Sequence, residues 1–182
     1  MSEQSFTIRP ENGLTPELID HLLDEAFGVE RRVLTSYRLR EGVAPLEGLS
    51  YAAWHGDRLV GSLRFWPVLI DNRWHALLLG PLAVASHLRG CGCGIALMET
   101  GLAKARELGH ERVILVGDAP YYSRVGFARV PDGRLHMPGY VDPERLLFKE
   151  LVAGAMDKVT GLVGRMENVS TPLAEPGKTE QE

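Results

Sequence analysis

The sequence predicts an α/β fold in which helices flank one mixed, mostly antiparallel central sheet. Three observations lead to this prediction. Short polar turns separate three strand-like runs between residues 49 and 84, and a strand–helix–strand unit follows over 78–116. The chain has 182 residues, of which 45% are hydrophobic and 24% charged, a balance typical of one globular domain.

The N-terminal quarter is predicted to hold one strand and two helices. Alternation over 5–9 predicts the strand. Thr15 and Pro16 begin a helix, because threonine caps helix ends and proline suits the first turn, and Gly28 ends it. A second, weaker helix is predicted over 31–40.

Three strands of an antiparallel meander come next. They are predicted over 49–55, 58–70 and 74–84. Gly56-Asp57 and Asp71-Asn72 provide the hairpin turns. Pro67 and Pro81 each lack a backbone N–H, so we expect local irregularities in the second and third strands.

The rest of the chain is predicted to complete the sheet and then leave it. The predicted elements are a helix over 94–108, a buried strand over 112–116, a helical turn over 121–125, and closing strands over 127–130 and 146–151. Beyond about Asp157 the composition becomes that of a frayed tail, with Pro172 and Pro176. We therefore expect a domain over 1–156 and a partly disordered extension over 157–182.

Composition excludes several classes of function. A net charge of −4 gives no general attraction to nucleic acid or anionic lipid. Two cysteines cannot form a disulfide framework, and no leader-like or membrane-spanning apolar run is present. We expect a cytoplasmic protein that binds neither nucleic acid nor membrane; homodimerisation through a sheet edge or the C-terminal segment stays open.

A glycine-rich loop between a strand and a helix is the strongest functional signal. It contains Arg89, Gly90, Cys91, Gly92, Cys93, Gly94 and Ile95. Amides at a helix start are unpaired and carry partial positive charge, glycines allow a ligand to approach closely, and the arginine adds a cation. The loop is predicted to bind a phosphate group through the amides from Gly90 to Ile95. A plain flexible connection is the competing interpretation.

Two other phosphate-binding patterns fail at this loop. The dinucleotide pattern G-x-G-x-x-G needs a glycine at position 95 or 97, where Ile95 and Leu97 stand, and Glu111 precedes its strand instead of ending it. The P-loop needs Lys and Ser or Thr after its last glycine, but Ile95 and Ala96 follow Gly94.

Two segments resemble the GNAT superfamily of N-acetyltransferases. Arg89, Gly92 and Gly94 match the family's acyl-CoA signature, Arg/Gln-x-x-Gly-x-Gly/Ala, and 121–127 resembles its aromatic-Tyr-x-x-x-Gly-Phe segment. The run 115–122 resembles a bacterial subgroup of predicted acetyltransferases. The matches span about 5–151 and imply the acetyltransferase fold. They also imply transfer of an acetyl group from acetyl-CoA, as cosubstrate, to a primary amine by direct attack in a ternary complex, without a metal.

The resemblance also implies roles for particular residues. The strand residues Leu82, Ala83 and Val84 would pair with the pantetheine arm, and a backbone N–H there would polarise the thioester. Tyr122 would be the general acid, since a phenol of pKa about 10 can protonate a thiolate of pKa about 8.5. Alternatives are a non-catalytic acyl-CoA sensor, or a donor with a longer acyl chain or an acyl carrier protein.

Two departures from the family pattern concern proton transfer and coenzyme contact. Where many members carry an Asn before the tyrosine, this chain has Asp118, which would cap the following helix, contact the coenzyme or serve as general base. No Glu matches the family's usual base, so amine deprotonation through water is expected.

A few further residues are weaker candidates. Cys91 and Cys93 are too few for a metal site, although Cys93 could be reactive at a helix start. His75 could be an acceptor-side base, with a solvent-exposed position as the competing interpretation. Arg64, Trp66 and Trp74 could line an acceptor pocket, or belong to the core and to cross-strand pairs.

Overall fold

A computed structural model describes residues 5–166 of the chain. The strands within this range are β1 (Thr7–Pro10), β2 (Ser50–His55), β3 (Arg58–Ile70), β4 (Trp74–Val84), β5 (Arg112–Val116), β6 (Ala128–Arg129), β7 (Leu135–His136), β8 (Leu146–Glu150) and β9 (Gly161–Arg165). The helices are α1 (Pro16–Phe27), α2 (Thr35–Arg38), α3 (Cys93–Glu107) and α4 (Ala119–Ser123). None of the helices in 5–166 is long and apolar enough to cross a membrane.

The strands form one mixed, mostly antiparallel sheet, as predicted. Its order is β1-β2-β3-β4-β5-β8-β6, and β4–β5 is the parallel pair along that order. The strand β9 adds to the end of β3 and also pairs with β7. Helix α3 connects the two parallel strands, as a crossover between parallel neighbours requires.

Helices cover one face of the sheet, and loops and short strands cover the other. Along β3, Leu63 and Phe65 point into the core shared with α1 and α3, whereas Val68 and Ile70 point into the second core, which Val163 of β9 completes. This alternation is the period-two pattern of a strand buried on both faces. The first core positions α3, and therefore the glycine-rich loop that precedes it, against the sheet.

Two parts of the chain differ from the sequence prediction. The expected helix over 31–40 is a 3-10 turn, Val29–Val33, followed by the single-turn helix α2. The expected tail does not begin at Asp157, because β9 pairs with β3 and buries Val163. The sheet thus extends to Arg165, and the predicted disorder of 167–182 lies outside the described residues.

The irregularity expected at Pro81 is a bulge that separates β4 from β5, whereas the one expected at Pro67 is absent, because Pro67 pairs in register with Leu77. Phe65 pairs with Leu79 and Leu63 with Leu82, so two residues of β4, Gly80 and Pro81, lie opposite one residue of β3. On its other side, β4 pairs with β5 only through Leu77 and Leu78. Beyond these residues the edge of β4 that faces β5 is unpaired within the described chain, and a cleft opens there.

Candidate active site

A cleft of about 830 Å³ lies where β4 and β5 diverge. Its walls come from four parts of the chain: the end of β4, the glycine-rich loop with the start of α3, the region around α4, and the segment around α2. Of the residues predicted from sequence, it is lined by Leu82, Ala83, Val84, Arg89, Gly90, Gly92, Cys93, Gly94, Ile95, Asp118 and Tyr122. Cys91 does not line it; its thiol is directed at the Leu88 carbonyl.

The three glycines of the loop are needed for different reasons. Gly90 and Gly92 have φ of 82° and 84°, a left-handed conformation that other residues rarely adopt. Gly94 is helical, but a Cβ there would lie 2.2 Å from the hydroxyl of Tyr121. The first two glycines therefore shape the turn, and the third allows an aromatic side chain to lie on the helix start.

The start of α3 presents free backbone donors to the cleft. The first amide of the helix to find a carbonyl is that of Ala96, which donates to Gly92 O at 2.9 Å. The amides of Cys93, Gly94 and Ile95 donate to no other atom of the described chain. The exposed Arg89 lies beside them. Together these groups offer backbone donors and a cation, an arrangement that suits an anion.

Tyr122 lies across the cleft from β4, in contact with the end of β5. A Cβ on Gly117 would come 2.3 Å from its ring, so glycine is needed for this approach. The ring meets Tyr121 edge-on, at 5.1 Å between centroids and 81° between planes. Burial and then Tyr121 raise the pKa of Tyr122 to about 12, although Arg145 and Arg40 oppose this shift. The hydroxyl is therefore protonated at neutral pH.

Asp118 caps α4, one of the roles predicted for it. Its Oδ2 accepts a hydrogen bond from the amide of Tyr121 at 3.2 Å, and the side chain is exposed. This contact holds the turn that carries both tyrosines. Asp118 thus holds the turn that carries Tyr122. It also lines the cleft, where its carboxylate can contact a ligand. Thr15, by contrast, makes no side-chain cap at α1.

Other side chains singled out by sequence lie outside the cleft. His75 is exposed near the β3–β4 turn, and Trp74 lies under the guanidinium of Arg73, 4.2 Å from its ring centroid. Arg64 is paired with Glu11. These positions do not support a role for His75 as an acceptor-side base. They also do not support an acceptor pocket lined by Arg64 and Trp74.

Cys93 and Trp66 are buried, with consequences for their expected roles. Burial raises the pKa of the Cys93 thiol to about 11, so a reactive thiolate at the helix start is contradicted. Trp66 donates from Nε1 to Gly80 O at 2.6 Å and thereby supports the β4 bulge. Its role is structural and adjacent to the cleft.

No sequence pattern predicted the second half of the cleft wall, around α2. This wall contributes Arg31, Tyr37 and Arg40, and Tyr140 and Arg145 come from loops near β8. Among the described lining residues there are five arginines but two aspartates, in a chain of net charge −4. The cleft is therefore locally positive, which favours an anionic ligand.

Comparisons with known proteins agree on one family. The model of the acetyltransferase (GNAT) family matches residues 16–127. The chain is 32% identical over 161 residues to the uncharacterized N-acetyltransferase YhbS of Escherichia coli K12, covering 86% of this chain and 93% of YhbS. It is also 30% identical over 147 residues to the uncharacterized N-acetyltransferase YjhQ of the same strain, covering 79% of this chain and 81% of YjhQ.

Solved structures show the same similarity. The crystal structure of Escherichia coli YhbS in complex with CoA has a TM-score of 0.75 and 29% identity, covering 89% of this chain and 90% of that chain. A GNAT acetyltransferase from Brucella melitensis in complex with acetyl-CoA has a TM-score of 0.59 and 25% identity, covering 79% and 95%.

Proposed function

Because this chain belongs to the acetyltransferase (GNAT) family, we propose that it transfers an acetyl group from acetyl-CoA to a primary amine by direct attack in a ternary complex. One observation carries the proposal: the free amides at the start of α3 and the protonated Tyr122 line the same cleft. A phosphate site alone would bind a coenzyme. A phosphate site with an acid beyond it also allows acyl transfer.

The coenzyme has a matching surface at each end of the cleft. Its pyrophosphate meets the amides of Gly90 and of residues 92–95, with Arg89 at the rim. Its pantetheine arm runs along the edge of β4 at Leu82, Ala83 and Val84, which is unpaired towards β5. Unpaired strand edges hydrogen-bond extended amide chains in the manner of an added strand.

The transfer step uses Tyr122 as the proton donor. The amine nitrogen attacks the thioester carbonyl, a C–N bond forms, and the C–S bond breaks with the electron pair leaving on sulfur. The Tyr122 hydroxyl gives its proton to that thiolate and recovers one from solvent. Burial raises the basicity of a thiolate formed in the cleft as it raises the pKa of Tyr122, which keeps the two groups matched.

The proton lost by the amine leaves through water, and the cleft itself favours the neutral amine. Positive charge nearby disfavours an ammonium ion, and Arg40 and Arg145 both lie close enough to Tyr122 to lower its pKa. The same cations act on an amine held beside the tyrosine. The cleft thus lowers the amine's pKa without a carboxylate base.

Replacement of Tyr122 by Phe tests the proposal. The variant should release free thiol from acetyl-CoA about 10²-fold more slowly or worse at saturating amine, with unchanged affinity for acetyl-CoA, because only the proton donor is lost. Tyr51→Phe is the matched control, since the Tyr51 ring is buried in the core and its hydroxyl bonds only Gly48 O. Full activity of Tyr122→Phe would overturn the assignment.

The same assay separates the proposal from its alternatives. An acyl-CoA sensor would bind the coenzyme without thiol release by wild-type protein on any amine. A longer-chain acyltransferase would release thiol from longer acyl-CoAs faster than from acetyl-CoA. Either outcome would leave coenzyme binding intact and would contradict transfer of an acetyl group from acetyl-CoA as the reaction.

A further inference from the structure

Three side chains on the α2 wall of the cleft have buried polar atoms without partners: Arg31, at its Nε, Tyr37 and Arg40. The hydroxyl of Tyr37 and the Nε and Nη1 of Arg40 are inaccessible to water and make no hydrogen bond of good geometry within the described chain, although the Tyr37 hydroxyl lies close enough to Arg40 to oppose the lowering of its pKa by burial. Both residues line the cleft. Buried donors without acceptors are costly and rare in folded proteins. Beside a cleft, a buried cation of this kind favours an anionic ligand that can pair with its charge.

Arg40 is set apart by its lack of a counter-ion. Its guanidinium lies over the rings of Tyr37 and Trp66, at 4.8 and 5.9 Å from their centroids, and no carboxylate of the described residues lies within 4.0 Å of it. Arg31, whose guanidinium lies 5.7 Å from the centroid of the Tyr37 ring, is paired with both Asp20 and Asp24. The protein thus neutralises one buried arginine of this wall and leaves the other charge free.

The free charge persists at neutral pH. Burial lowers the pKa of Arg40 to about 10, which still leaves the guanidinium protonated. A buried cation is stabilised by an anion that also accepts its hydrogen bonds. The planar guanidinium matches a carboxylate best, since two oxygens can accept from its fork of donors.

The position of Arg40 identifies which ligand brings the anion. Its Nη2 lies 3.1 Å from the place of a Cβ on Gly80, so it lies at the β4 bulge, where the cleft begins. Arg40 and Tyr122 line the same cleft, and the positive charge of Arg40 lowers the pKa of Tyr122. The phosphates of the coenzyme have their donors on the other wall, at the start of α3. The anion at Arg40 therefore belongs to the acceptor.

We propose that the acceptor is an amine that also carries a carboxylate, which Arg40 and Tyr37 bind while the amino group faces the thioester. This inference rests on the proposed acetyl transfer and deepens it by naming the acceptor class. The best-matched acceptors are amino acids, in which a carboxylate lies a few bonds from the amine.

The experiment compares amino acids with their carboxamides, which lack the charge that Arg40 would bind. Rates are compared per concentration of neutral amine, because amidation lowers the pKa of the amino group. Free-thiol release from acetyl-CoA is measured for α-, β- and γ-amino acids and the amide of each. Wild-type protein should prefer at least one acid to its amide by about tenfold or more in kcat/KM. In Arg40→Met that ratio should fall to about one, and Arg40→Lys should retain part of it.

Control measurements separate this role from others. Arg73→Met removes an equivalent charge far from the cleft, over Trp74, and should leave the ratio as in wild type. Affinity for acetyl-CoA should be unchanged in Arg40→Met. Equal loss of rate for acid and amide would instead place Arg40 on the thioester oxygen and overturn the inference.

Failure of the inference and failure of the proposed function give different results. Thiol release from amides at least as fast as from acids by wild-type protein would overturn only the carboxylate. No thiol release with any amine would overturn the transfer reaction and the inference with it. The preference for acid over amide is measured on the wild-type protein, so it does not depend on the folding of a variant. A second measurement is the melting temperature of the CoA-bound protein, which the acid should raise and the amide should not.

Discussion

Substitution of Gly94 by Ala isolates one contact between the phosphate loop and the tyrosine pair. Gly94 has a helical backbone, so alanine adds no backbone strain, and its methyl group would lie 2.2 Å from Tyr121 Oη. Ordinary contact begins at 3.4 Å, so the hydroxyl must move by about 1.2 Å. The ring of Tyr121 carries the edge contact to Tyr122, so the movement reaches the proposed acid.

The cost should fall on coenzyme binding more than on folding. Alanine in place of glycine stabilises a helix by about 0.5–1 kcal/mol, which offsets the disturbed aromatic contact of about 0.5–1.5 kcal/mol. The free energy of unfolding should therefore change little. When CoA binds, the Tyr121 ring and the added methyl group would compete for the same space at the loop. We expect this to cost about 1 kcal/mol of binding free energy, which corresponds to about fivefold weaker binding of CoA.

A double-mutant cycle with Tyr121→Phe tests the reasoning by calorimetric titration with CoA. Without the hydroxyl, the nearest ring atom, Cζ, lies 3.5 Å from the added methyl group, an ordinary contact. Phe at 121 should therefore restore CoA affinity to the Gly94→Ala protein, with a coupling energy of about 1 kcal/mol. Strict additivity of the two changes, or wild-type affinity in Gly94→Ala alone, would refute the steric account.

Two further predictions concern pH and the C-terminal strand. Because burial raises the pKa of Tyr122 to about 12, its proton is retained below that pH. With an amine that carries no carboxylate, kcat/KM should therefore rise as the amine deprotonates and show no decline up to about pH 10. A decline near pH 9 that disappears in Tyr122→Phe would contradict this. Val163→Ala should lower the free energy of unfolding in urea by about 2 kcal/mol, because the Val163 side chain of β9 is buried in the second core. Leu162→Ala, at a side chain that is 55% exposed, should cost far less; equal effects would mean that β9 is not packed as described.

The side of the cleft formed by the glycine-rich loop was predictable because its signals are local. The alternating glycines Gly90, Gly92 and Gly94 stand within five residues, and their spacing, dihedrals and helix start all follow from the adjacent sequence. The turn that carries Tyr122 likewise has local signals. Asp118 is a capping residue, and Pro120 suits the first turn of a helix. Sites of this kind require only that one strand and one helix form.

The α2 wall was not predictable, because its chemistry depends on long-range packing. Arg40 reads as an ordinary exposed charge in a weakly helical segment. It becomes a buried cation only when the β4 bulge places Gly80 and Trp66 against it, and the bulge depends on the register of β3 with β4. Strand β9 was not predicted for a similar reason. Its five residues include two glycines and do not alternate strongly between polar and apolar, and its stability comes from pairing with the end of β3.

A crystal structure of the protein with CoA tests the central claim most directly. The account predicts pyrophosphate oxygens about 3 Å from the amides at the start of α3, the pantetheine arm along β4 at Leu82–Val84, and the sulfur within hydrogen-bonding reach of the Tyr122 hydroxyl. A pyrophosphate bound away from the 90–95 loop, or a sulfur directed away from Tyr122, would contradict it.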